Sequence, residues 1–207
     1  MDRGCACRQR DYLLMSDLSD FIVSRVRIKL LQVLLSSPEE LFYVRQLGRK
    51  IDEEINAVRR ELLHLAKVGI LKSQPRGNRS YFWANKDYLY YPELLALAAK
   101  STGLGQAIIK HKDKLGRIVF SFMSMRLAKR LAVKTGQVDL LIVGEVVLPQ
   151  LSALVKTAEA ETGREINYSV MSLEEFSFRK RRRDPFLIDV LRESRIMLIG
   201  DDQALVA

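Results

Sequence analysis

Cysteine is almost missing from this chain: the only two, Cys5 and Cys7, sit one residue apart near the start and can staple nothing together. That excludes a disulfide framework and makes a reducing cytoplasm the expected compartment. No further Cys or His lies nearby to complete a metal site with the pair. Residues 1–16 therefore read as a flexible tail with free thiols, and Met15 as an alternative start. Long apolar runs are missing as well. Nothing approaches the roughly 20 residues that span a bilayer, and no signal-peptide pattern opens the chain, so no membrane partner is expected. An acidic balance is the third absence. Against 25 Asp and Glu stand 34 Lys and Arg, a net charge of +9 over 207 residues, and such a surface attracts polyanions. The basic excess is shared by both halves, so charge alone does not say which half meets a partner.

What is present is a periodic first half. Residues 19–35 pattern as one helix, with Phe21, Ile28, Leu31 and Leu35 at helical spacings. Ser36-Ser37-Pro38 ends it, because proline disfavours helical geometry just ahead of itself. A shorter helix follows with Val44, Leu47 and Ile51 on one face. Asp52 then reads as the N-cap of a third helix, with Glu53 and Glu54 suited to the positive end of its dipole. Its buried stripe is Ile55, Val58, Leu62 and Leu65, and Gly69 stops it. The opposite side carries Asn56, Arg60, His64 and Lys67, with Arg59 on the flank.

Two short strands, over 71–74 and 81–83, then flank Gly77-Asn78, a pair that favours a two-residue hairpin turn. Arg76 and Arg79 bracket the tip. Three helices and a hairpin in this order make a winged helix-turn-helix. A helix of this width fits the major groove of double-stranded DNA, where Asn, Arg and His read base edges, while a basic hairpin touches phosphates or the minor groove beside it. The expected DNA-binding residues are thus Asn56, Arg59, Arg60, His64, Lys67, Arg76, Asn78 and Arg79. The alternative is a solvated helix face and a soluble turn, and Glu53 and Glu54 weigh against DNA because they repel phosphates at the helix end that enters the groove. A protein-interaction module built on the same winged helix is the further alternative.

A helix from Tyr90-Tyr91-Pro92-Glu93 to Lys100 follows, either for dimerisation or for packing on its own domain, and residues 101–105 read as a hinge. The second half changes character. Strands over 117–122, 138–143, 165–171 and 196–199 alternate with helices over 149–161 and from a Ser172/Glu175 capping box to about Arg182. The expected fold class is α+β: a tail over 1–16, a winged helix-turn-helix domain with its linker helix over 17–103, and a small α/β domain over 104–207.

At Asn56-Ala57-Val58-Arg59-Arg60-Glu61-Leu62, Gly77-Asn78-Arg79-Ser80-Tyr81-Phe82 and Tyr91-Pro92-Glu93-Leu94 the chain resembles prokaryotic winged-helix transcriptional regulators of the arsenical-repressor type, fused to a minimal nucleotidyltransferase-like domain. For the second domain the matching stretches are Val138-Asp139-Leu140-Leu141-Ile142-Val143-Gly144, Gly163-Arg164-Glu165-Ile166-Asn167 and Asp184-Pro185-Phe186-Leu187. The resemblance implies a homodimeric DNA-binding regulator. Nucleotidyl transfer requires a Gly-Ser pair opening a helix, two aspartates one residue apart for Mg²⁺, and a further carboxylate on a neighbouring strand. Here Met123-Ser124, or less well Ser121-Phe122, stands at the first position, Gln137-Val138-Asp139 at the second, and Asn167, with Glu165 nearby, at the third. One sure carboxylate remains, so Ser124, Gln137 and Asp139 are expected to be a remnant. No catalytic residue, metal or cofactor is expected. Such a domain leaves two uses open, a nucleotide effector held without turnover, or dimerisation and partner binding. The rival is an active nucleotidyltransferase acting on a protein or RNA. The run Arg179-Lys180-Arg181-Arg182-Arg183 is either a grip on nucleic-acid phosphates or a solvated helix face.

Overall fold

A computed structural model describes residues 18–20, 22–132 and 136–206 of the chain. The tail with Cys5 and Cys7, and the place of Phe21, lie outside the described residues. The chain divides into two compact units, Met1–Leu94 and Leu95–Ala207. The division falls inside the helix expected to close the first domain, ahead of the boundary read at Gly103. The class is α+β.

In the first unit, α1 (Arg25–Ser36), β1 (Phe42–Tyr43), α2 (Val44–Ile51) and α3 (Ile55–Lys67) precede a hairpin of β2 (Leu71–Arg76) and β3 (Arg79–Ala84). The hairpin register pairs Arg76 with Arg79 across Gly77-Asn78, and Gly77 takes a positive φ of 59° that an L side chain resists. β1 adds to β3, giving an antiparallel sheet in the order β1-β3-β2. Pro75 lies in β2, an edge strand, where its missing N–H breaks no ladder. Leu30, Leu34, Phe42, Leu47, Leu62 and Phe82 form a core without polar atoms. This is the winged helix-turn-helix arrangement.

Three local expectations change. The first helix begins at Arg25 rather than near residue 19, because the Ser24 hydroxyl accepts the Arg27 N–H and caps it there. Asp52 is not an N-cap. It ends α2 in the left-handed region, φ 51°, and Glu54 caps α3 by accepting the Asn56 and Ala57 N–H groups at 2.9 and 2.8 Å. Ile55 is not buried. It stands at the first position of α3 with 43% of its surface exposed, leaving Val58, Leu62 and Leu65 as the inward stripe.

α1 is clamped to α3 through Glu61, which accepts from Ser24 Oγ and Arg27 Nε, both at 2.9 Å. Burial raises the Glu61 carboxyl pKa, but the hydrogen bonds from Arg27 and Ser24 and the charge of Arg27 outweigh it and hold it below the ordinary 4.5. Glu61→Gln should therefore destabilise the unit by about 1.5–3 kcal/mol at neutral pH in chemical unfolding. Because the folded pKa is depressed, this stabilisation is present above pH 4.5 and is lost as pH falls through the folded value. The gap between wild type and variant should close in acid.

α4 (Tyr91–Ser101) crosses the division, and α5 (Gly103–Lys110) begins where a hinge was expected. The second unit continues through α6 (Lys112–Leu115), β4 (Gly116–Ser124), α7 (Met125–Ala128), β5 (Leu140–Val146), α8 (Leu148–Thr162) and β6 (Tyr168–Met171). It closes with α9 (Leu173–Arg181), α10 (Pro185–Arg192), β7 (Arg195–Ile199) and α11 (Asp202–Val206). The sheet order is β6-β5-β4-β7, with β5 and β6 parallel and the other pairs antiparallel. Leu140 and Ile142 of β5 pack with Ile108, Leu151 and Val155, whereas Leu141 and Val143 pack with Phe176, Leu187 and Leu205. Both faces of the sheet are covered, which is why this strand reads as an unbroken apolar run. Gly144 faces Ile118 across the β4–β5 ladder, and a Cβ on it would lie 2.2 Å from the Arg117 carbonyl oxygen, so only glycine fits. Among the described residues no helix is long and apolar enough to cross a membrane.

Candidate nucleic-acid interface

Between α2, α3 and the hairpin lies a cleft of about 790 Å³. Each wall contributes cations. Arg45 and Arg49 come from α2, Arg59 from α3 and Arg79 from the wing, while no carboxylate is among the lining residues described. Its apolar lining includes Ile55 and Leu63 on α3 and Phe82 on β3, and Asn78 and Ser80 complete the wing side. Ile55, Arg59 and Leu63 are spaced four residues apart, so they form one stripe along the helix.

Aromatic rings hold the wing cations. Tyr43 and Tyr81 are partners across β1 and β3 and meet edge to face, 5.9 Å between centroids. The Arg79 guanidinium lies over Tyr43 at 4.8 Å, and that of Arg76 over Tyr81 at 5.7 Å. Arg76 also donates to Gln74 Oε1 at 3.3 Å. Such stacking leaves the N–H edges of a guanidinium free to meet an anion while limiting the rotamers lost on binding.

Of the residues expected to meet DNA, Arg59, Asn78 and Arg79 are brought together in the cleft. Asn56, Arg60, His64 and Lys67 are exposed on the outer side of α3 and do not line it. Arg76 stands on the wing beside Tyr81, also outside the lining. Arg45 and Arg49 were missed by sequence reasoning. Their spacing of four on a helix whose opposite face carries Leu47 and Ile51 was the available signal.

The acids at the start of α3 are engaged. Glu53 accepts from Lys29 Nζ at 2.6 Å and pairs with Arg25 at 3.5 Å, and the hydrogen bond from Lys29 holds its carboxyl below the ordinary range. The Asn56 and Ala57 backbone N–H groups do the same for Glu54. Both charges are partly offset within the unit, which softens the repulsion they would exert on a phosphate.

In the second unit, of the three residues expected as a remnant, Ser124 and Asp139 meet and Gln137 does not. Asp139 is 6% exposed and its carboxylate accepts from Arg164 Nη2 at 2.9 Å, the Asn167 N–H at 3.3 Å and Ser124 Oγ at 3.4 Å. Ser124 also caps the single turn of α7 by accepting the Leu127 N–H at 3.1 Å. Gln137 turns elsewhere and donates to Glu193 Oε1 at 2.8 Å. A guanidinium thus stands against the carboxylate that a metal would need. Among the described residues no group of three or more His, Cys, Asp or Glu is placed to hold a metal ion.

The basic run divides. Arg179 pairs with Glu175 at 2.7 Å, and Lys180 donates to the Leu205 carbonyl at 2.9 Å. Arg181, Arg182 and Arg183 are exposed, with Arg182 stacked on Phe178 at 4.6 Å.

No protein-family model matches the chain, and no curated protein matches it. In structure it is similar to reduced HlyU from Vibrio cholerae N16961, with 14% sequence identity, a TM-score of 0.29, and coverage of 53% of this chain and 95% of that one. A likeness of that size carries no functional argument.

Proposed function

We propose that this protein is a sequence-specific regulator of transcription that binds double-stranded DNA as a homodimer, with its second unit a non-catalytic nucleotidyltransferase-like module. The observation that supports this reading most is the cleft in which Arg45, Arg49, Arg59 and Arg79 converge from three elements with no lining carboxylate. Four cations around one concavity repel each other unless a polyanion sits among them. In this reading α3 enters the major groove and the wing lies on the adjacent backbone, with half-sites about 34 Å apart for a dimer. Asn56, Arg60, His64 and Lys67 face outward on the same helix and add base or phosphate contacts. In the second unit, Asp139 and Ser124 are engaged by their own neighbours, which favours a dimerising or structural use over holding a nucleotide.

The test is selection of binding sequences from random double-stranded DNA, followed by affinity for the selected and scrambled sequences across a salt series. A preference that survives near-physiological salt supports the reading, and equal affinities that collapse together as salt rises remove it. Arg59→Ala should cost about 1–3 kcal/mol on the selected sequence and relax the preference at one base pair. Because Arg59 is exposed, thermal unfolding of the variant should match wild type.

A further inference from the structure

The stripe of α3 that faces the cleft is not purely basic. Ile55 and Leu63, 43% and 57% exposed, stand one helical turn before and after Arg59. Each is about 6 Å along the axis from the arginine. A single exposed aliphatic side chain is ordinary. Two on one stripe, in one cleft, on either side of a cation, present a pattern of apolar, positive and apolar contacts. In the major groove the matching pattern is a guanine edge, which takes a bidentate arginine at O6 and N7, with thymine C5-methyl groups beside it. The remaining cleft arginines, Arg45, Arg49 and Arg79, line the same cleft and supply cations for phosphates. An acidic protein would satisfy the cations too, but its binding would not depend on thymine methyl groups, which the experiment below reads.

Resting on the DNA reading above, we propose that Ile55 and Leu63 are specificity-determining residues that recognise thymine methyl groups flanking a guanine read by Arg59. The sequence bound by α3 then contains thymines on both sides of that guanine, counted on either strand. Their methyl groups, rather than their hydrogen-bonding edges, carry the discrimination.

Uracil in place of thymine keeps pairing and removes only the methyl, so it isolates this contact. The experiment takes the sequence enriched from random double-stranded DNA and measures affinity with each thymine replaced in turn by deoxyuracil. Wild type should lose about fourfold at each flanking thymine, the worth of one buried methyl. Leu63→Ala should lose sensitivity at one of the two positions and Ile55→Ala at the other, while both variants still unfold cooperatively as folded proteins, because neither side chain is buried in the core. If wild type binds the deoxyuracil sequences as tightly as the thymine sequence, the methyl assignment is overturned and the DNA reading stands. If no sequence is enriched at all, the DNA reading fails and this inference with it.

Discussion

Asp139→Ala is expected to destabilise the second unit by about 3–5 kcal/mol, because it leaves a guanidinium inside the unit without its counter-charge. Arg164 has a side chain only 14% exposed, and its Nε and Nη1 find no other acceptor among the described residues. Its one anchor among the described residues is Asp139 Oδ1 at 2.9 Å. The same substitution strands the Asn167 N–H, which donates to Oδ2. Chemical unfolding followed by circular dichroism reads the loss directly. An active nucleotidyltransferase makes the contrary prediction. A carboxylate kept free to hold Mg²⁺ is strained by its own charge, so removing it leaves stability unchanged or raised while nucleotide transfer is abolished. A paired change, Asp139→Leu with Arg164→Met, should recover most of the lost stability, since replacing both partners of an interior ion pair with apolar groups is often neutral. Wild-type stability in Asp139→Ala would return Asp139 to the list of candidate metal ligands.

The parts of this structure legible in the sequence are those whose cause is local. Gly77-Asn78 between two strand-forming runs fixes the hairpin and its register, because only a few residue pairs tolerate the positive φ that the turn requires. Ser172 was readable as a cap for the same reason, and its hydroxyl accepts the Glu175 N–H at 3.0 Å. Asp52 misled because the left-handed end of α2 and the cap of α3 fall within three residues, and Asp, Glu and Glu there look alike without the chain path. Ile55 misled because helical periodicity reports a stripe but not where the neighbouring elements stop covering it. β1 was missed because two residues carry no period, and it exists only through its pairing with Tyr81 and Phe82. The partner of Asp139 lies 25 residues away, so the ion pair that holds its carboxylate is a tertiary fact. Arg45 and Arg49 belong to the same class: their meeting with Arg59 and Arg79 depends on how three elements converge.

That convergence sets the largest expected effect on binding. Replacing Arg45, Arg49 and Arg79 together by alanine should reduce the slope of log affinity against log salt by about 2.7, near 0.9 for each phosphate neutralised. The wild-type and variant lines should meet near 1 M salt, where counterion release contributes nothing, and diverge by about 500-fold at 0.1 M. Arg59 is left out of this set because the base contact proposed for it would change sequence preference more than slope. A parallel variant with Arg181, Arg182 and Arg183 changed to glutamine separates the two basic surfaces of the chain. Those three cations are exposed at the end of α9, where the negative end of the helix dipole accounts for them without nucleic acid. If phosphates are gripped in the cleft of the first unit, this second variant keeps the wild-type slope. If it loses the slope while the first variant keeps it, the anchors lie in the second unit, and the arginines around Tyr43 and Tyr81 answer to a different partner.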